Sequence, residues 1–392
     1  MLIQFPPSFF WGSSTSAAQI ETASDHNWLG FKAKDGSVFD RTIDHELRRQ
    51  EDLEYICQFG KVYRCGIDWA RLQPEPFGLF DQEAVDEYQE FFAHLRDRGM
   101  TVMLVLHHFA NPIWFEERGG WLEENNISAY TDYVQKCVEH FGLYVSHWNT
   151  FNEPNVYAGA AFFLGQFPPH KKSLRKANRV LNYLGQAHQI AYDLIKDQFP
   201  DDQVGISFNT AWFDATHPLG RIPAYLVDRW FHRKAARYFT SVDFWGLSYY
   251  AYVPFNPKPI TEIEQPGKLK KMGIPHDKMW GYKPEGLGIM LRRFHKWFKK
   301  PLIVIENGIC TDDPQVRIQS IKDYLQVIDG VMEEGIPILG YIHWSTFDNF
   351  EWNLGLSYRF GLVAVHPETK ERTMTPAGEF YAELTQTRRL YL

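Results

Sequence analysis

The chain has 392 residues, 44% of them hydrophobic, and a formal net charge of −7. That length suits two average domains or one large α/β domain, and the modest charge argues against a nucleic-acid partner. Its two densest basic runs, "HKKSLRKANR" and "HKWFKK", read as solvated helix faces, and no apolar run nears the roughly 18 residues of a membrane span, so a soluble, cytoplasmic protein without a membrane partner is expected.

Eight short apolar or β-branched runs follow one another along the chain: "FFWGSSTSA", "VYRCGIDWA", "TVMLVLHHF", "HWNTF", "VGISFNTAW", "DFWGLSYYAY", "LIVIENG" and "ILGYIHWS". Longer segments with helical periodicity separate them. Val85, Tyr88, Phe92 and Leu95 make one stripe, with Asp81 as cap and Gly99 as stop. Ile127, Tyr130, Val134, Val138 and Phe141 make a second. Ile318, Ile321, Leu325, Ile328 and Met332 make a third, stopped by Gly335. Near-continuous apolar strands alternating with helices predict a parallel sheet covered by helices, and eight such units without a linker predict an α/β fold, a single (β/α)₈ TIM barrel over residues 1–392. Between Pro254 and Pro284 six prolines forbid a regular helix or central strand. A long loop over the barrel mouth is expected there.

Cys57, Cys65, Cys137 and Cys310 show neither metal-ligand spacing nor a paired framework, so reduced, mostly buried thiols are the expectation. Thirteen Trp, 20 Tyr and 30 Phe are a load that serves either a core or the apolar faces of sugars.

In such a barrel the polar residues at the C-terminal strand ends face the active site. Strand four ends in Asn152-Glu153-Pro154, strand seven in Glu306-Asn307-Gly308, and strand eight in Trp344, followed by "STFDNFEW" with Glu351 and Trp352. Strands four and seven lie nearly across the mouth, so Glu153 and Glu306 would face each other. Two facing carboxylates suit glycosidic cleavage: one protonates the departing oxygen, and the other attacks the anomeric carbon or activates water. Taken singly, each has a plainer reading. Glu153 is also a helix N-terminal carboxylate, "ENG" a turn, His108 a barrel histidine, Arg64 an ion-pair partner, and Trp344 and Trp352 core residues.

The motifs "TFNEP", "IENG" and "HWSTFDNFEWNLGLSYRFGL" resemble the acid/base, nucleophile and sugar-binding signatures of glycoside hydrolase family 1. "FPPSFFWGSSTSAAQIE" and "VYRCGIDWARLQP" resemble its N-terminal and second-strand motifs, and the likeness runs from about residue 5 to residue 380. The resemblance implies Glu153 as general acid/base and Glu306 as nucleophile, kept ionised by Arg64 and Tyr250. It implies Asn152 at the sugar 2-hydroxyl, Gln19, His108, Glu351 and Trp352 at the remaining hydroxyls, and Trp344 beneath the ring. Tyr249 and Tyr252 offer alternative registers for Tyr250.

Three positions depart from the family pattern. Phe109 replaces Trp, Ser248 replaces Asn and so weakens the support of Tyr250, and "QIETA" lacks the usual Gly. Glu351 would repel a phosphate dianion, so a neutral sugar is expected.

The expected activity is that of a retaining, exo-acting β-glycosidase. Its substrate is a small β-glycoside or oligosaccharide, with glucoside, galactoside and fucoside all compatible, and no metal or cofactor is required. A transglycosidase using the same residues, or a sugar-binding protein without turnover, are the alternatives.

Overall fold

The computed structural model describes residues 2–255 and 266–392. Eight parallel strands close into a barrel. They are β1 (Phe10–Ser14), β2 (Val62–Gly66), β3 (Thr101–Val105), β4 (Val145–Asn152), β5 (Gln203–Ala215), β6 (Phe244–Phe255), β7 (Leu302–Asn307) and β8 (Ile338–Trp344). Each pairs with the next, and β1 closes on β8 from Phe10–Gly340 to Ser14–Trp344. All eight apolar runs therefore became barrel strands.

The strands alternate as pleated backbone requires. On β7, Leu302 and Val304 join the large cluster under the helices, while Ile303 and Ile305 fill the barrel interior beside Val62, Met103, Phe244 and Ile342. Helices Gln82–Asp97, Ile127–Phe141 and Pro314–Glu333 occupy the predicted stripes. Asp81 accepts from the Ala84 N–H at 2.9 Å, and Gly99 and Gly335 take the positive φ that closes their helices. The third stripe is shifted: Ile318 and Met332 are half-buried, and Tyr324 and Val331 are buried in their stead.

The proline-rich stretch needs correction. β6 runs through Pro254 to Phe255, and Pro266–Lys271 is a short helix. Proline at a helix's first position loses no intrahelical hydrogen bond, so Pro266 starts the helix it was expected to forbid. Residues 256–265 of that predicted loop lie outside the described residues. The part beyond the helix reaches the mouth, where Trp280 packs 5.5 Å from the Tyr250 ring and Met279 joins a cluster with Trp344.

Four free cysteines are present, with Cys57 half-buried and the other three buried. No helix among the described residues is long and apolar enough to cross a membrane.

Candidate active site

Two irregularities in the sheet decide which side chains enter the barrel mouth. On β4, Asn149 pairs with Gly205 but Asn152 with Ser207, so β4 holds one extra residue. On β7, Val304 pairs with Tyr341 and Asn307 with His343, again one residue in excess. Such bulges turn the following side chain to the opposite face. With Ile303 and Ile305 inside, strict alternation would aim Glu306 at the helices; the bulge brings it inward. On β4, counting by twos from outward-facing Trp148 would send Asn152 outward too; the bulge after Asn149 turns Phe151 outward and Asn152 in.

Arg64, fully buried on β2, joins these ends. Its Nη1 donates to Glu306 Oε1 at 2.5 Å and to Ser14 Oγ at 2.9 Å, while Nη2 donates to Asn152 Oδ1 at 2.6 Å. One guanidinium therefore spans from the tip of β7 to the tip of β4. The Tyr250 hydroxyl donates to Glu306 Oε2 at 3.1 Å. Among the three tyrosines, Tyr250 is the one turned into the site: Tyr249 donates to the Lys283 carbonyl and Tyr252 to Asp214.

Glu153 follows Asn152 with φ of 42°, a left-handed conformation that costs a non-glycine residue of order 1–3 kcal/mol and is held by its surroundings. Its side chain makes no capping bond to the helix Pro154–Tyr157. It accepts instead from Asn209 Nδ2 at 2.8 Å, and the Ser248 hydroxyl faces it as well. Ser248 was expected to support Tyr250; the structure gives it to Glu153, because Ser248 points into the barrel between outward-facing Leu247 and Tyr249, and Asn209 pairs beside it on β5. Asn209 was missed. Its signal was a polar residue directly after the apolar part of a strand, here "VGISF".

The two carboxyls differ in what opposes their burial. Burial, and next the charge of Glu306, push Glu153 up to about 8, opposed chiefly by the neutral groups of Asn209 and Ser248. Burial raises Glu306 also, but the adjacent Arg64 cation and the Tyr250 hydroxyl pull it back. Glu153 is thus the member of the pair that keeps its proton.

The remaining candidates gather around this pair. Asn152 presents its oxygen to Arg64, which has only donors, so its amide nitrogen must face His108 Nε2 at 2.7 Å. Burial and then Arg64 hold His108 well below its ordinary pKa. A neutral ring that accepts at Nε2 carries its hydrogen on Nδ1, which is buried without a partner among the described residues. Gln19 Nε2 donates to Asn349 Oδ1 at 3.0 Å and the Phe350 carbonyl at 2.9 Å and lies 3.4 Å from Glu351 Oε2. Gln19 Oε1 is likewise buried and unpartnered among the described residues. Glu351, raised to about 8 by burial and then by Glu306 and Glu153, is hydrogen-bonded by Gln19 and Trp344. The rings of Trp344 and Trp352 lie 5.9 and 5.7 Å from that of His108. Trp352 is backed by Trp28 and by Phe109, whose ring takes the place expected for an indole. All ten sequence-predicted site residues thus meet at one end of the barrel.

Asn307 is not a turn residue. It ends β7, donates to the Tyr249 carbonyl at 2.6 Å and accepts from the Tyr341 hydroxyl at 3.1 Å, fastening β7 between its neighbours. Next to it, a Cβ on Gly308 would run into the Trp344 carbonyl oxygen. Gly308→Ala is expected to push the ends of β7 and β8 apart and cost about 1–3 kcal/mol of stability, read as a lower Tm in thermal denaturation.

The family model for glycosyl hydrolase family 1 matches residues 1–222 and 232–390. Beta-glucosidase A of Thermotoga maritima is 28% identical, with 98% of each chain covered. A 1,4-beta-D-glucan glucohydrolase of Thermotoga neapolitana is 27% identical, over 97% of this chain and 98% of the relative. Among solved structures, the beta-glycosidase from Pyrococcus horikoshii superposes with a TM-score of 0.88 at 28% identity, covering 100% of this chain and 97% of that one. The beta-glucosidase from Thermotoga maritima in complex with castanospermine gives 0.90 at 27% identity, covering 99% and 100%.

Proposed function

The chain belongs to glycosyl hydrolase family 1 and is a β-glycosidase, an O-glycosyl hydrolase, and from that premise we propose that it is a retaining, exo-acting enzyme working through a covalent glycosyl intermediate in one catalytic domain. The observation that carries the reading is the asymmetry of the two glutamates. Glu306 sits against a buried arginine, while Glu153 keeps its proton and has only neutral donors in contact.

In the first step the ionised Glu306 attacks the anomeric carbon while Glu153 gives its proton to the departing oxygen. The aglycone leaves and an ester joins sugar to Glu306. That ester has no charge, so the repulsion between Glu306 and Glu153 disappears and the Glu153 pKa falls. The Glu153 carboxylate then takes a proton from water as the water oxygen attacks the anomeric carbon; the bond to Glu306 breaks, its carboxylate is released and the β anomer is restored. Asn152 keeps one amide hydrogen for the sugar 2-hydroxyl, His108 Nδ1–H donates to a sugar oxygen, and Gln19 Oε1 accepts from a hydroxyl.

Trp352, packed on Trp28 and Phe109, ends the site in a wall that suits a terminal sugar. Three carboxyls share the pocket, so a phosphate dianion would add like charge to Glu306, and a neutral sugar fits. The glucosidase and glucan glucohydrolase names of the Thermotoga relatives favour glucose over its epimers. A panel of nitrophenyl glycosides is the test. The β-glucoside should turn over fastest, with β-galactoside and β-fucoside slower and α-anomers inert. Preference for an α-anomer or a 6-phosphorylated sugar would overturn the assignment.

A further inference from the structure

The basic run "HKKSLRKANR" has no part in the site just described, and the structure sets it beside an unusual helix. Helix Arg221–Asp228 with its continuation Arg229–Lys234 follows β5 at the catalytic end, where Asn155 donates to the Phe231 carbonyl at 3.2 Å. Its inward face is Ala224, Asp228 and His232; Asp228 is held by Arg293 at 2.8 Å, and His232 accepts from the Ala211 N–H. Leu219, in the turn before it, is 69% exposed, and on its outward face Ile222 is 72% exposed, Tyr225 58% and Leu226 58%. This reverses the usual arrangement of a surface helix. The stretch also spans the interruption, between residues 222 and 232, in the family match.

Trp230 joins the two basic segments, donating to Asn178 at 2.9 Å and packing on the exposed Phe163. Residues 170–179 and 221–237 together hold ten Lys and Arg against one Asp, on a chain whose net charge is −7. Lys172, Arg175, Lys176, Arg229 and Arg233 are all exposed.

We propose that this face docks on an anionic lipid surface, with Ile222, Tyr225 and Leu226 entering the headgroup boundary and the flanking cations neutralising lipid phosphates. Apolar side chains ringed by Lys and Arg on a helix are the composition that binds such an interface. A second copy of the chain fits less well, because a two-fold contact through this helix brings like-charged flanks together. The inference revises the expectations that this run is merely solvated and that the chain has no membrane partner, and it stands independently of the sugar chemistry.

The test is co-sedimentation of the full chain with vesicles of equal parts phosphatidylglycerol and phosphatidylcholine, against phosphatidylcholine alone. Binding to the anionic vesicles should be about tenfold or more the stronger and fall with added salt. Ile222→Asp with Leu226→Asp, and separately Arg229→Glu with Arg233→Glu, should each lose that binding while keeping turnover of a soluble aryl β-glucoside. Equal binding to both vesicle types, no binding to either, or unchanged binding by both variants would overturn the proposal. So would a dimer in light scattering that the Asp variant dissolves while vesicles stay unbound.

Discussion

Replacing Glu306 with Ala is expected to lower kcat on an aryl β-glucoside by at least about 10⁴-fold, because among the described residues Glu306 is the carboxylate that Arg64 and Tyr250 hold for forming the glycosyl ester. The space vacated admits a small anion beside Arg64, which has lost its 2.5 Å partner. Added azide should therefore restore turnover and yield the glycosyl azide of inverted configuration. Leaving Arg64 buried and uncompensated also lowers stability, so a thermal melt accompanies the assay and Glu306→Gln, which keeps volume and a hydrogen-bonding group, serves beside it. A variant that folds and hydrolyses at the parental rate would refute the nucleophile assignment.

Glu153→Ala should behave differently. The loss falls on the proton given to the leaving group, so poor leaving groups should slow by about 10²–10⁴-fold and dinitrophenyl glycosides far less. The pH profile carries the sign. Glu153, raised to about 8 from the usual carboxylate range, holds its proton at neutrality, so wild-type kcat/KM falls as pH rises through that region. On the acid side it falls as Glu306 takes up a proton. The variant should lose the alkaline limb and keep the acid one; a variant that retains the alkaline limb would assign that titration to another group, with Glu351, also near 8, the first alternative.

The barrel was legible because β-branched and aromatic runs on strands buried on both faces leave little else for the sequence to mean, and because Asp81, Gly99 and Gly335 punctuate the helices by local chemistry. The site was legible in its residue types but not in its geometry. Counting by twos along "LIVIEN" from the interior Ile303 and Ile305 sends Glu306 outward; only the bulge, a property of the pairing with β6 and β8, turns it in. Ser248 points inward by plain alternation, but that it meets Glu153 depends on the neighbouring strands and not on its own sequence. Asn209 required knowing that β5 lies beside β4. Pro266 shows the opposite failure, where a local rule was applied without asking which helix position the proline holds.

In the proposed double displacement Glu306 bonds covalently to the sugar and Glu153 does not. Incubation with an activated 2-deoxy-2-fluoro-β-glucoside, whose second step is slowed, should add one fluoroglucosyl group to the protein, and fragmentation should map it to the peptide holding Glu306. An adduct on Glu153, or full turnover of the probe's unfluorinated parent to the α-anomer with no adduct at all, would contradict this chemistry.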